Sequence, residues 1–169
     1  MSKMLGFYKN FPQYVHKVAR FSTSISNKKL QHAIIQTLHK INKESFNLNE
    51  VAKPSIPQCI SIFEFGIAEA ESFNYLDQEE AEKVLESLHR KPLQVMDFFC
   101  AIRYYRVKDE GCAPLKFDYY MLRFLFDRDF MEVQIFHERG PRHVLPEDII
   151  NLIIGKINES FPKKALKAI

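Results

Sequence analysis

Three consecutive segments rich in aromatic and β-branched residues constrain the fold of this chain more than any other feature. They extend from Val95 to Val107, from Lys116 to Phe126 and from Phe130 to His137. Only Asp127-Arg128-Asp129 separates the second segment from the third. Short connections of this kind join antiparallel neighbours, so the sequence predicts a three-stranded antiparallel meander.

Helical patterns lie before and after these extended segments. Apolar residues recur at helical spacing from Lys28 to Lys43, Asp77 and Glu80 form a capping-box pattern, and Pro146 opens a third apolar helix. The predicted elements are a strand over 14–22, a helix over 28–43, a strand over 58–68, a helix that starts at 77 and ends before 92, the three meander strands, and a helix over 146–158. The order (β)αβαβββα favours an α+β fold, an antiparallel sheet with about three helices packed on it.

The length of the chain bounds the number of domains. With 169 residues, of which 46% are hydrophobic, the chain has the size and composition of one folded domain rather than of a disordered segment. We expect a single α+β domain over 1–169, in which 1–12 form a loose N-terminal arm and 160–169 form a basic C-terminal tail that frays. The segment 45–57, which contains Pro54 and Pro57, is expected to be a connecting loop.

Charge and cysteine content restrict the partners and the compartment. The formal net charge is +3, which is low for a dedicated nucleic-acid binder. The three cysteines include no Cys-x-x-Cys pair, which argues against a disulfide framework and against a thiolate zinc site. No apolar stretch is long enough to span a membrane, and no signal-peptide pattern is present. We therefore predict a cytoplasmic protein without membrane contact, and no pattern indicates a cofactor.

Two predicted elements carry more apolar surface than one core requires. Both faces of the strand over 116–126 are apolar, whereas a half-exposed strand alternates with polar residues. The last helix is apolar on every side, with isoleucine at positions 149, 150, 153, 154 and 157. Either helices cover both faces of the sheet, or the surplus surface is an interface. The second interpretation predicts a homo-oligomer or a protein partner.

The segment between the last strand and the last helix carries the most chemistry. His137, Glu138, Arg139, Arg142 and His143 lie within seven residues. Arginine offers a planar fork of donors, a helix start offers unpaired N–H groups, and histidine titrates near neutral pH. The two arginines and two histidines therefore predict a site for a small anionic ligand, such as phosphate, sulfate or a carboxylate. The alternative is a solvated loop whose arginines pair with nearby carboxylates and stabilise this corner only slightly.

A second candidate surface combines aromatic and basic residues on the predicted sheet. Arg103 and Tyr105 lie on the first meander strand, and Arg123 lies on its neighbour. Rings interleaved with cations on a sheet can stack nucleic-acid bases and contact phosphates. Nucleic acid is therefore a second class of partner, but the low net charge does not favour it. The alternative is that these are ordinary strand residues whose arginines reach solvent or a carboxylate.

Three carboxylates in predicted strands are candidates for proton transfer. Glu64, Asp97 and Asp118 lie beside aromatic residues, and burial of a carboxylate raises its pKa. The more ordinary interpretation pairs such carboxylates with Arg103 or Arg123. The histidines and cysteines indicate neither a metal site nor a nucleophile at recognisable spacing.

These observations support two hypotheses of different classes. The first is a non-catalytic interaction or ligand-binding module that acts as a homo-oligomer or as a subunit of an assembly. The second is a small enzyme, or a nucleotide- or phosphate-handling protein, in which residues 137–143 clamp an anion. The first is favoured, because the second depends on residues that the sequence alone cannot bring together.

Overall fold

The computed structural model describes residues 4–42, 44–51, 59–108 and 111–169, and of residues 49, 107–108 and 111–116 it describes the backbone alone. Within these ranges the elements are, in chain order, β1 (Met4–Phe7), β2 (Lys17–Thr23), α1 (Asn27–Ile41), β3 (Ser45–Asn47), α2 (Leu48–Val51), β4 (Cys59–Glu69), β5 (Ser72–Tyr75), α3 (Gln78–Arg90), β6 (Val95–Lys108), β7 (Gly111–Asp127), β8 (Phe130–Arg139), α4 (Pro146–Glu159) and β9 (Leu166–Ala168).

The strands of the described residues form one antiparallel sheet, and the fold is α+β. The order across the sheet is β1-β5-β4-β6-β7-β8-β2-β9, and β3 pairs with β4 beside this path. The consecutive strands β6, β7 and β8 are neighbours at its centre. The order predicted from the sequence contains part of this arrangement, since β1, β3, α2, β5 and β9 are absent from it.

One face of the sheet, the inner face, carries the hydrophobic core. Side chains alternate between faces along a strand, so every second residue of β6 and β7 points inward. The inner-face residues of these two strands are Met96, Phe98, Cys100, Ile102, Tyr104, Asp118, Tyr120, Leu122, Phe124 and Phe126, and all are buried. Each of the four helices contributes buried residues to this same core. The helices therefore pack on one face, not on both.

The apolar surface of α4 is buried within the chain itself. Ile149, Ile150, Ile153, Ile154 and Ile157 are all in the core, and α4 contacts both the sheet and α1. The sequence left two interpretations of this surface open, coverage within the chain or an interface with a partner. Burial within the chain accounts for it, because a helix that packs against both a sheet and a second helix is apolar on two sides.

The outer face of the sheet is crossed by the segment between β1 and β2. The Tyr8 hydroxyl donates to Asp97 on β6, the Phe11 ring packs 4.6 Å from the Arg123 guanidinium on β7, and the His16 ring lies 5.0 Å from Phe136 on β8. Strands β1 and β2 are six places apart in the sheet, which is about 29 Å at the usual strand spacing. The chain from Phe7 to Lys17 advances by ten residues and reaches at most about 33–36 Å when extended, so the segment has just enough length to cross.

Both ends of the chain differ from the loose arm and fraying tail that the sequence predicts. Strand β1 pairs with β5 and Phe11 is buried, while β9 pairs with β2 and Leu166 is buried. The expected loop over 45–57 begins with β3 and α2, and its residues 52–57 lie outside the described residues. All of these elements are short, and the strands β1, β3 and β9 pair with strands from other parts of the sequence. Local periodicity therefore carries no signal for them.

The crossing segment supplies the first prediction. Phe11 is 8% exposed and its ring packs against the Arg123 guanidinium, whereas Phe7 in the same part of the chain is 83% exposed. We expect Phe11→Ala to lower the free energy of unfolding by about 3 kcal/mol. The matched change Phe7→Ala should alter it by less than about 0.5 kcal/mol. Urea unfolding measures both, and equal midpoints would show that Phe11 does not hold the segment on the sheet.

Candidate functional site

The best-defined polar cluster of the structure surrounds Asp118. This residue lies on β7 between Phe117 and Tyr119, and alternation along the strand turns its side chain into the core beside Tyr120. Its relative exposure is 0%. A carboxylate removed from water in this way needs donors from the protein in place of solvent.

Four donors meet the Asp118 carboxylate. Oδ1 accepts from His137 Nε2 at 2.9 Å and from the Arg142 backbone N–H at 2.6 Å. Oδ2 accepts from the Tyr104 hydroxyl at 2.5 Å and from the His143 backbone N–H at 3.0 Å. These four hydrogen bonds occupy the four acceptor positions of an ionised carboxylate. They tie β6, β7, β8 and the segment before α4 to one point.

The segment that follows β8 is shaped to approach this carboxylate. Gly140 has φ +117° and Arg142 has φ +61°, both in the left-handed region. A Cβ on Gly140 would meet the Phe117 carbonyl oxygen and Asp118 Oδ1, and would lie 2.8 Å from the Asp118 Cα. Only glycine allows the backbone to pass so close to Asp118. This close passage lets the backbone N–H groups of Arg142 and His143 reach the carboxylate.

The tyrosine and cysteine side chains around Asp118 are buried, and burial favours their protonated, uncharged forms. Burial raises the pKa of the Tyr104 hydroxyl far above its ordinary value, and the neighbouring Tyr120 and Asp118 raise it further. Burial likewise raises the pKa of the Tyr120 hydroxyl, which donates to the Val144 carbonyl, and that of the Cys100 thiol. At neutral pH these groups are donors or neutral thiols, not nucleophiles. The two tyrosines and Cys100 are therefore held in their protonated forms around the Asp118 carboxylate.

The residues of the predicted anion site lie in different surroundings in the structure. The His137 ring and the backbone N–H groups of Arg142 and His143 all bond Asp118. The Arg139 guanidinium lies on the outer face, 4.4 Å from the centre of the Tyr119 ring. The His143 ring packs edge-on against Tyr104 at 5.0 Å. The segment thus holds a carboxylate that belongs to the chain itself. Binding of an external anion by Arg139 and Arg142 stays a prediction.

A second group of residues lies on the outer face of the sheet, beside the crossing segment. We call it the ring surface, and its members are Phe99, Phe117, Tyr119, Arg103, Arg139 and Glu64. The Phe99 and Tyr119 rings stack at 5.6 Å, and the Tyr119 and Phe117 rings lie 6.2 Å apart. Both arginines lie over rings, Arg139 over Tyr119 and Arg103 over Phe117 at 5.8 Å. The described helices all pack on the opposite face, so this surface faces outward.

The structure separates the residues that the sequence grouped as an aromatic–basic surface. Arg103 belongs to the ring surface, and Tyr105 lies on the same face two residues further along β6. Arg123 shares this face, but it makes two hydrogen bonds to Asp97, at 2.8 and 2.9 Å, and lies under Phe11. Asp97 and Arg123 therefore fasten the crossing segment to the sheet.

Three other kinds of candidate remain, namely the carboxylate of Glu64, the cysteines and a metal site. Glu64 pairs with Arg103 at 2.6 Å, the ion pair that was the more ordinary interpretation of its position. Cys59 and Cys100 are buried free thiols, and the Cys112 side chain lies outside the described residues. Among the residues that the structure describes, no group of three or more histidine, cysteine or acidic side chains is arranged to hold a metal ion.

No protein-family model matches this sequence, and neither a curated protein nor a solved structure is significantly similar to it. In the described part of the chain, no helix combines the length and apolar character needed to cross a bilayer. No relative therefore indicates a function, and the features of the molecule that bear on function are the Asp118 cluster and the ring surface.

The Asp118 cluster leads to a sharp stability prediction. Asp118→Asn keeps the shape of the side chain but turns an NH₂ group toward two donors, so those donors lose their acceptor. We expect a loss of about 3–5 kcal/mol in the free energy of unfolding, measured by chemical denaturation. The control Asp129→Asn changes an exposed turn residue with φ +66°, where asparagine is well tolerated, and should stay within about 0.5 kcal/mol of wild type. Equal effects of the two changes would contradict a central role for Asp118.

Two glycines supply a second matched pair. Gly140→Ala places a Cβ against the Asp118 backbone in a left-handed conformation, and should destabilise the chain by about 2 kcal/mol or more. Gly155 in α4 is exposed, and a Cβ there meets no atom within 4 Å. Gly155→Ala should therefore stabilise the helix by about 0.5–1 kcal/mol. Thermal unfolding followed by circular dichroism tests whether the two midpoints move in opposite directions.

Proposed function

We propose that this chain is a non-catalytic interaction module that binds a second copy of itself through the ring surface. The observation that carries the proposal is the row of three rings, one exposed (Phe117) and two half-buried (Phe99 and Tyr119), with arginines over two of them, on the face of the sheet opposite the described helices. Aromatic residues and arginine are the side chains most enriched at the energetic centres of protein interfaces.

The ring surface is chemically self-complementary. A two-fold interface brings the same patch of both copies together, so each patch must supply both partners of every contact. The ring surface has guanidinium groups on Arg103 and Arg139, aromatic faces on Phe117 and Tyr119, and the carboxylate of Glu64. Arginine on one copy therefore has both a ring and a carboxylate to contact on the other.

Charge favours a protein over a nucleic acid as the partner. Glu64 already neutralises Arg103, and the net charge of the whole chain is only +3. Binding to nucleic acid draws most of its strength from unpaired cations placed on phosphates. Buried free thiols at Cys59 and Cys100 accord with a cytoplasmic module in a reducing compartment.

The buried polar cluster supports a module rather than an enzyme. Asp118, the most deeply buried of the three candidate acids, has all four acceptor positions filled, and Cys100 beside it is held as a thiol. A general acid or base must reach the proton that it transfers. The interior position of Asp118 and its full set of partners favour a structural role.

The interface is tested by sedimentation velocity of the double variant Phe117→Glu, Arg139→Glu. Wild type should sediment as a dimer at micromolar concentration. The variant should dissociate, with at least about thirtyfold weaker association, because truncation of a central interface residue costs about 2 kcal/mol. Both positions are exposed, so circular dichroism should show an unchanged fold.

A matched control removes an equally exposed ring elsewhere on the sheet. Phe117 is 41% exposed and Phe130, at the opposite end of the outer face, is 50% exposed. The change Phe130→Glu should leave the dimer intact. The proposal is wrong if wild type remains a monomer at about 100 μM, well above the Kd of a typical stable dimer, or if Phe130→Glu dissociates the dimer and the double variant does not.

A further inference from the structure

A groove on the helical side of the molecule combines an apolar floor with a basic rim. It lies where the first half of α1 meets the end of α3 and the residues just after α4. Ala33, Leu88 and Phe161 form the floor, and its volume is about 410 Å³. That volume lies within the range of roughly 300–1,000 Å³ that is typical of small-molecule sites. We call it the helix groove. It is on the opposite side of the sheet from the ring surface.

The rim of the helix groove carries two lysines and two histidines. Lys28, Lys29 and His32 come from α1 and His89 comes from the end of α3. Lys28 and His32 are four residues apart, so they stand one above the other on the same side of the helix. Among the described residues that line the groove, none is acidic. The fold brings these four side chains to one groove, because His89 is distant in sequence from the other three.

This segregation of charge distinguishes the helix groove from two other grooves of the described residues. The chain as a whole is almost balanced, with 24 basic lysine and arginine residues and 21 acidic ones. The neighbouring groove between α1 and α4 combines Lys40 and Lys156 with Glu44 and Glu159. The groove at the β2 end of the sheet places Arg20 beside Glu132. In those two grooves charges of opposite sign offset one another, whereas the helix groove keeps an uncompensated positive rim.

Helix stability does not explain the two lysines on the rim. The first turn of α1 contains Lys28 and Lys29 and no acidic residue. Cations near a helix N-terminus oppose the helix dipole and are unfavourable there. No ion pair of the described residues involves either lysine. An anion in the groove would offset this repulsion and would interact with both ammonium groups at once.

We propose that the helix groove binds a small amphipathic anion, in which an apolar body carries one carboxylate, phosphate or sulfonate group. The apolar body contacts Leu88 and Phe161, and the anionic group lies between Lys28, Lys29 and His32. Two sources of this chemistry are an acyl carboxylate and an aryl phosphate, and they differ in the shape of the apolar body. The site is separate from the proposed self-association surface and does not depend on it.

The test is a titration of the full chain followed by ¹⁵N NMR, with 1-naphthyl phosphate and octanoate as probes. We expect backbone shifts confined to the first half of α1, the end of α3 and the residues around Phe161. The double variant Lys28→Ala, Lys29→Ala should bind about tenfold more weakly, since it loses two charge-assisted contacts. The matched variant Lys9→Ala, Lys17→Ala removes the same charge elsewhere and should bind as wild type does.

Two simpler ligands separate the contributions of charge and apolar contact. Inorganic phosphate and 1-naphthol each carry half of the proposed chemistry, and each should bind at least about tenfold more weakly than 1-naphthyl phosphate. Stronger binding of octanoate would identify the acyl source, and stronger binding of the naphthyl probe the aryl source. The proposal is overturned if neither probe shifts the groove residues, if inorganic phosphate binds equally well, or if the two double variants weaken binding equally.

The same samples keep this site distinct from the proposed dimer. Lys28→Ala, Lys29→Ala should sediment as wild type does, because the helix groove lies on the other side of the sheet. The ring-surface variant Phe117→Glu, Arg139→Glu should bind 1-naphthyl phosphate with unchanged affinity. Loss of probe binding in the ring-surface variant would overturn the assignment of the ligand to the helix groove, whatever the state of association.

Discussion

The carboxylate of Asp118 is the interaction on which the central part of this structure depends. A buried charge costs several kcal/mol unless the protein replaces its lost hydration, and here four donors do so. Those donors come from β6, from β8 and from the segment that leads into α4, so one side chain sets the relative positions of three parts of the chain. The conformation of Gly140 follows from the same requirement, because the backbone must pass against Asp118 to deliver two N–H groups.

The two faces of the sheet are covered by different means. On the inner face the helices bury a continuous core, and the isoleucines of α4 are part of it. On the outer face a single extended segment crosses the middle of the sheet and is fastened by Asp97 and Arg123. A segment of one chain's width covers only part of that face, and the described helices cover none of it. The ring surface is the part that it leaves, which is why the proposed association is placed there and not on α4.

The segment 137–143, which comprises the end of β8 and the first residues after it, shows that hydrogen-bond donors can be recognised in a sequence before their acceptor is known. Its histidines, arginines and turn residues indicate that an anion belongs nearby, and the structure places a carboxylate there. That carboxylate is Asp118, about twenty residues earlier in the chain. Backbone N–H groups carry much of the contact, and no residue-type pattern distinguishes a backbone donor aimed at the protein from one aimed at a ligand. In the proposed function this segment therefore positions Asp118 and presents Arg139 on the outer face.

The sequence by itself determined the α+β class, the three long helices and the long central strands, because period-3.6 and extended apolar patterns act over neighbouring residues and need no tertiary partner. The ion pair of Glu64 was also among its interpretations. Only the tertiary structure decided that the helices share one face, that the segment holding Tyr8 and Phe11 crosses the other, and that β9 pairs with β2. It also decided the meeting of His89 with Lys28, and of Tyr104 with Asp118 and His137. These contacts join residues far apart in sequence, and their geometry is set by strand order and register, which no local pattern encodes.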